Sequence, residues 1–242
     1  MSASRRAYVP KQHGAWAMLA VPFWFGMIAS GAKPVHALLF AVWLSAYLLS
    51  YPLLQWVRTG KKSLYGRPTF VYAALLAASG SALAAVRLDL ARWLPAFLPM
   101  LLVNIIYASK NRERAFWNDI AAVVQFSLIV FVAYDAGGGR DWPLAGELFG
   151  LSVLYFAGTV FFVKTIIRDR HNRRFYRLSV AYHAAVVAVA AVWFPPGMLP
   201  PLVVLLVRAA WTPRTRLTVK QTGMLEIAYS ALVAVSAGAV YG

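Results

Sequence analysis

Long apolar runs separated by short basic turns account for nearly all of the 242-residue chain. Such runs fall at residues 14–32, 36–57, 68–86, 91–109, 116–135, 144–167, 177–194, 197–211 and 223–241. A segment crossing the hydrocarbon of a bilayer must satisfy its backbone polar groups internally, which takes roughly 20 mainly apolar residues in a helix. The pattern therefore predicts an all-α integral membrane protein of about nine transmembrane helices. It predicts one multi-pass domain over residues 1–242, with 1–13 a short basic N-terminal segment. The eighth run is short and carries Pro200-Pro201, so it reads either as a crossing or as a kinked, re-entrant piece.

Charge turns this span list into an orientation. With the N-terminus in the cytoplasm, as Arg5, Arg6 and Lys11 suggest, the turns after the even-numbered runs also face inward. They carry Arg58, Lys61, Lys62 and Arg67, then Lys110, Arg112 and Arg114, then six basic residues from Lys164 to Arg177, then four from Arg208 to Lys220. Only Lys33, Arg87, Arg92 and Arg140 remain outside, so the distribution obeys the positive-inside rule and places the C-terminus outside. Omitting one middle run would invert every later loop and destroy that asymmetry.

Composition agrees, with 61% hydrophobic and 13% charged residues. A net charge of +16 would suggest nucleic acid in a soluble protein. Here the cations lie between apolar runs, so anionic lipid head groups and orientation account for them and no nucleic-acid partner is expected. The absence of cysteine excludes disulfides, thiolate metal sites and cysteine nucleophiles. Arg5-Arg6, the apolar run behind them and Ala29-Ser30-Gly31 also admit a cleaved signal peptide.

The informative residues are polar groups that a bilayer penalises. Gln55 and Arg58 close the second run; Asn104, Tyr107, Lys110 and Arg112 close the fourth; Lys164, Arg168, Asp169 and Asn172 close the sixth. Continued helical spacing would place Lys164, Arg168 and His171 on one face, beside Thr165, Asp169 and Asn172. Converging cationic ends would hold a phosphate, diphosphate or carboxylate, with a lipid tail between helices. The other reading of the same cations is snorkelling to lipid phosphate, favoured for Lys61, Lys62, Arg173, Arg174 and Arg177. His13, Gln55, Asn104, His183 and Glu226 are candidates to line a cavity. His183 reads more readily as a packed, hydrogen-bonded histidine, and Glu226 as the partner of a basic neighbour. No histidine or acid spacing suggests a metal site.

Pro10-Lys11-Gln12-His13-Gly14-Ala15-Trp16, the segment from Lys164 to Tyr182, and Lys220-Gln221-Thr222-Gly223-Met224-Leu225-Glu226 resemble the YwiC-like family of bacterial membrane proteins. That resemblance implies a location in the bacterial cytoplasmic membrane. More distantly, the chain is similar to UbiA-type intramembrane prenyltransferases, which implies a UbiA-like helical bundle. In those enzymes Asp-rich motifs hold Mg²⁺ on a prenyl diphosphate that Lys and Arg also contact. Arg67-Pro68 looks like the family's Arg-Pro; Tyr107, Lys110 and Arg112 look like the fourth-helix element; Asp169 falls where the second acidic motif begins. The departures count for more. The first motif's acidic positions are occupied by Tyr51, Leu54 and Arg58, and Asp169 is the one acid retained as a catalytic candidate, among Arg168, Arg170, Arg173 and Arg174. Two magnesium ions need several carboxylate oxygens, so Mg²⁺ is disfavoured and no cofactor is expected.

The resulting expectation is a divergent or non-catalytic prenyltransferase relative with a cytoplasm-facing basic pocket for an isoprenoid or other anionic lipid, built from Arg58, Arg67, Tyr107, Lys110, Arg112, Lys164, Arg168 and Asn172. A small transporter for an anionic or quinone-related solute uses the same cations, although the outer halves of the runs read as nearly all apolar. An accessory subunit is the third reading, since the small residues from Ala73 to Ala82 would let helices approach closely, either within the protein or with a partner.

Overall fold

The computed structural model describes Tyr8, residues 13–215 and residues 217–242, with His13 seen only as backbone. Its helices are α1 (His13–Ala29), α2 (Val35–Thr59), α3 (Lys62–Arg87), α4 (Leu94–Ser109), α5 (Phe116–Ser127), α6 (Ile129–Ala136), α7 (Trp142–Ile167), α8 (Arg173–Trp193), α9 (Leu199–Trp211) and α10 (Val219–Tyr241). Among the described residues there is no β-strand. Each predicted run corresponds to a helix, except that the fifth is interrupted at Leu128 into α5 and α6. Six helical stretches are long and apolar enough to cross a membrane: Val35–Thr59, Lys62–Ser109, Phe116–Ala136, Trp142–Ile167, Arg173–Trp193 and Val219–Tyr241. The protein is thus a multi-pass membrane protein by its helices.

The 48-residue stretch Lys62–Ser109 is two helices, because the chain reverses through the 3-10 turn Leu88–Trp93. Arg87 and Trp93 on either side of that turn both bond around Asp135. The other ends of α3 and α4 lie beside the Arg58–Glu113 pair. Helices α2, α3 and α4 therefore alternate between two ends. At one end Gly60, in the left-handed conformation (φ 67°), closes α2. Asn111 (φ 54°) closes α4 there, with Arg112 N–H donating to the Tyr107 carbonyl at 2.8 Å. Gly and Asn are the residues that reach this conformation at low cost.

Helix α1 occupies the centre, packed against α2, α5, α6, α7 and α10, with Phe25 and Leu19 buried. Lipid is as apolar as a leucine side chain, so close fit and interhelical polar bonds hold such a bundle together. Both are visible. Gly26 lies so close to α6 that a Cβ there would collide with the Val130 carbonyl and the Tyr134 amide. Trp43 Nε1 donates to Leu19 O at 3.1 Å, and Trp24 Nε1 to Ala234 O at 3.3 Å. Helix α3 lies at the edge on α2, and Ala73, Ala74, Ala77, Ala78, Ser81 and Ala82 are exposed. The small-residue run thus does little of the protein's own packing.

The end carrying Asp135 is charge-balanced. Its basic residues Lys33, Arg87, Arg92 and Arg140 stand among Asp89, Asp135, Asp141 and Glu147. Asp135 accepts from Arg92 Nη2 at 2.6 Å and Trp93 Nε1 at 2.7 Å. Arg87 grips Asp89 through two bonds of 2.8 Å, which hold the Asp89 carboxyl below its usual range. Among the described residues the excess of positive charge is consequently concentrated at the opposite end.

Candidate functional site

The basic end is organised by the six-residue loop 110–115 between α4 and α5. Arg58, in the last turn of α2, bonds Glu113 Oε2 at 2.8 Å. From α7, Lys164 Nζ reaches Asp119 Oδ2 at 2.9 Å and the Arg114 carbonyl at 2.8 Å; Arg168 Nη1 donates to the same carbonyl at 3.0 Å. Asn118 Nδ2 donates to Glu113 O at 2.7 Å. The loop is thereby pinned between the ends of α2 and α7, and both nearby acids are consumed in the pinning. Lys110, Arg112 and Arg114 are exposed, and among the described residues no carboxylate lies within 4.0 Å of their cationic groups.

This gathers Arg58, Lys110, Arg112, Lys164 and Arg168 into one neighbourhood. Lys164 is nearly buried and committed to Asp119 and Arg114 O, so its first role is to position the loop. Tyr107, half-buried in the last turn of α4, supports the loop through its carbonyl. Asn104 Nδ2 donates to Gln125 Oε1 at 3.0 Å, joining α4 to α5. Gln55 is half-buried one turn before Arg58. Arg67 is exposed on the first turns of α3, outside the bonds that gather the loop. His13 has no described side chain.

The extended stripe from Lys164 to Asn172 does not form. Helix α7 ends at Ile167, where the N–H groups of Arg168 and Asp169 both fold back onto the Lys164 carbonyl at 2.9 and 2.8 Å. Asp169 and His171 therefore lie in a turn. Asn172 caps α8, accepting at Oδ1 from Arg174 and Phe175 N–H at 3.1 Å each. That side chain is satisfied by the helix terminus it begins.

A second polar assembly lies deeper, among α7, α8, α9 and α10. Arg208 Nη1 donates to Glu226 Oε1 at 2.7 Å, and Arg208 Nη2 meets His183 Nε2 at 3.3 Å. All three residues are at most 4% exposed. The guanidinium lies over Phe162 at 4.1 Å and Tyr229 at 5.0 Å. His183 and Glu226 were both legible as polar residues within apolar runs, and Glu226 does pair with a base. Arg208 was missed because it sits three residues before the end of α9 and reads as a loop charge. The available signal was one acid and one base, each inside adjacent apolar runs. Polar pairs also occupy the half of the bundle that reads as apolar: Ser127 with Ser152 at 2.8 Å, and Tyr241 with Glu147 at 2.6 Å. Among the described residues no three His, Asp or Glu side chains cluster closely enough to hold a metal ion.

Fold and polar ends define a helical multi-pass membrane protein. The family model described as YwiC-like protein matches residues 9–134. The chain is 34% identical over 195 residues to the uncharacterized protein YwiC of Bacillus subtilis (strain 168), covering 78% of this chain and 79% of that one. It is 30% identical over 235 residues to an uncharacterized protein of Haemophilus influenzae (strain ATCC 51907 / DSM 11121 / KW20 / Rd), covering 93% and 94%. The chain belongs to the YwiC-like family. No solved structure matches it.

Proposed function

We propose that the protein binds an anionic phospho- or diphospho-lipid, such as an isoprenoid phosphate, at its basic end in the bacterial cytoplasmic membrane. In this reading α5 and α6 cross together, the chain makes nine crossings, the N-terminus and basic end are cytoplasmic, and the C-terminus is outside. The observation that carries it is the loop 110–115. Its one acid, Glu113, and Asp119 just beyond it in α5 are spent on pairs with Arg58 and Lys164, while Lys110, Arg112 and Arg114 project with no carboxylate partner among the described residues. Guanidinium forks match phosphate geometry, and a membrane-embedded owner of that phosphate brings its own tail into the bilayer.

The lipid is held directly by cations, as in a UbiA-like bundle whose metal-binding acids have been replaced. The chain is then a divergent or non-catalytic relative of those prenyltransferases. The test is native mass spectrometry with lipid extraction from protein purified in mild detergent, comparing wild type with Lys110→Gln/Arg112→Gln/Arg114→Gln. These residues are exposed, so the variant retains the pairs that pin the loop. A specific phospholipid or isoprenoid phosphate, reduced at least tenfold in the variant, is the expected result. Equal lipid in both, or none in either, overturns the reading and brings the solute-transporter alternative forward.

A further inference from the structure

The buried Arg208–Glu226–His183 assembly plays no part in the lipid-binding reading and stands apart from it. An arginine and a carboxylate usually meet through two parallel bonds. This pair makes one, and Glu226 Oε2, Arg208 Nε, Thr159 Oγ1 and Ser179 Oγ are buried without a hydrogen-bond partner in the protein. An ionised carboxylate with a bare oxygen in a low-dielectric interior is costly. The Thr159 hydroxyl neighbours Glu226 and can donate to the carboxylate or, once that is protonated, accept from it.

Protonating the glutamate leaves the arginine as an uncompensated charge, which a membrane interior penalises. Arg208 has other support. It lies over the rings of Phe162 and Tyr229, and such contacts are strongest when desolvated. Its Nη2 also faces His183 Nε2. His183 Nδ1 lies 2.7 Å from the Ser179 carbonyl, which can only accept, so Nδ1 carries the hydrogen and Nε2 offers its lone pair to Arg208. The imidazole is a neutral acceptor in this arrangement.

The charged and polar groups around Glu226 come from α7, α8, α9 and α10. Arg208 on α9 and Tyr155 and Thr159 on α7 neighbour it directly, while His183 on α8 and Tyr229 on α10 reach it through Arg208 and Ser230 on α10 through Tyr155. From α1, the Trp24 indole meets α10 further along, at the Ala234 carbonyl. Ser152, Tyr155 and Thr159, spaced three and four apart, share one face of α7. Tyr155 bonds Ser230 and Ser152 bonds Ser127, each at 2.8 Å. A series of hydroxyls therefore leads from the ion pair toward the middle of the bundle.

We propose that Glu226 is the proton acceptor of an intramembrane proton-binding site. Arg208 is its counter-ion when it is ionised, and His183 with the two rings holds Arg208 when it is not. The proton comes from hydronium at the basic end and adds to a lone pair of Glu226 Oε2. The new O–H points to Thr159, and release returns the proton to water with no other reactant.

The test is pH-difference infrared spectroscopy of the full-length protein in phosphatidylcholine vesicles. A protonated-carboxyl stretch that grows as pH falls, disappears in Glu226→Gln and shifts in frequency in Thr159→Val is the expected result. The threonine variant keeps every charge, so it decides the matter even where Glu226→Gln does not fold. A titrating carboxyl signal unchanged by Thr159→Val, or none at all in wild type, overturns the proposal.

Discussion

Arg208 shows how strongly one side chain's meaning depends on what faces it. Its position three residues before the end of α9 is compatible with a charge snorkelling to the interface, the ordinary behaviour of such residues. The fold turns it inward onto Glu226, His183 and two aromatic rings. Removing one partner of a buried pair leaves an uncompensated charge and costs roughly 3–5 kcal/mol, whereas replacing both by apolar groups is often neutral. Arg208→Met is accordingly expected to lower the thermal unfolding midpoint in detergent markedly. Arg208→Met with Glu226→Met should recover most of the loss. A double variant as unstable as the single one would show that the pair is not the coupled unit. Asn172 carries the complementary lesson. It reads as a pocket residue only if the helix through Lys164 continues, and the chain instead turns at Arg168 and uses Asn172 to begin α8. Periodicity could not show this, because a cap is defined by where a helix stops.

At the level of elements, apolar runs of about 20 residues announced themselves through length and hydropathy, and their helices fall where expected. Their neighbours were not legible, since lipid and protein interior are equally apolar and no amphipathic stripe marks the packed face. The two glycines Gly26 and Gly80 make the point. Both lie in apolar helices, yet a Cβ on Gly26 meets the backbone of α6, while one on Gly80 meets nothing within 4 Å. Gly26→Val is expected to wedge α1 from α6 and destabilise by about 1–3 kcal/mol, the usual range for overpacking. Gly80→Val should be close to neutral. Thermal melts followed by tryptophan fluorescence in detergent would compare them, and equal effects would contradict the packing of α1 on α6. The basic loop 110–115 was legible as a cluster of cations, but not as a strap fastened by Arg58 and Lys164. The acids that fasten it, Glu113 and Asp119, look in sequence like isolated charges beside a larger basic set.

On the scale of the whole molecule, charge separates the two ends. Among the described residues, four basic and four acidic ones share one end, and the excess of cations lies at the other. The chain has no cysteine, so single cysteines report topology without background. With membrane-impermeant maleimide on intact cells, Lys33→Cys and Arg140→Cys are expected to label from outside. Lys110→Cys and Arg173→Cys should label only after permeabilisation. Labelling of both pairs from one side would refute the alternation of ends as a transmembrane arrangement. The central position of α1 has a different kind of consequence, one of timing. Helix α1 is made before the helices that surround it, and one of its neighbours, α10, follows all the others described. Phe25 and Leu19 therefore wait in lipid or in the insertion machinery until α10 is made. During that interval every nascent chain presents an unsatisfied Trp24 indole, which finds the Ala234 carbonyl only when α10 arrives. Closure of the bundle around α1 thus waits on α10, and a ribosome stalled before α10 leaves an open-sided protein for membrane quality control to find.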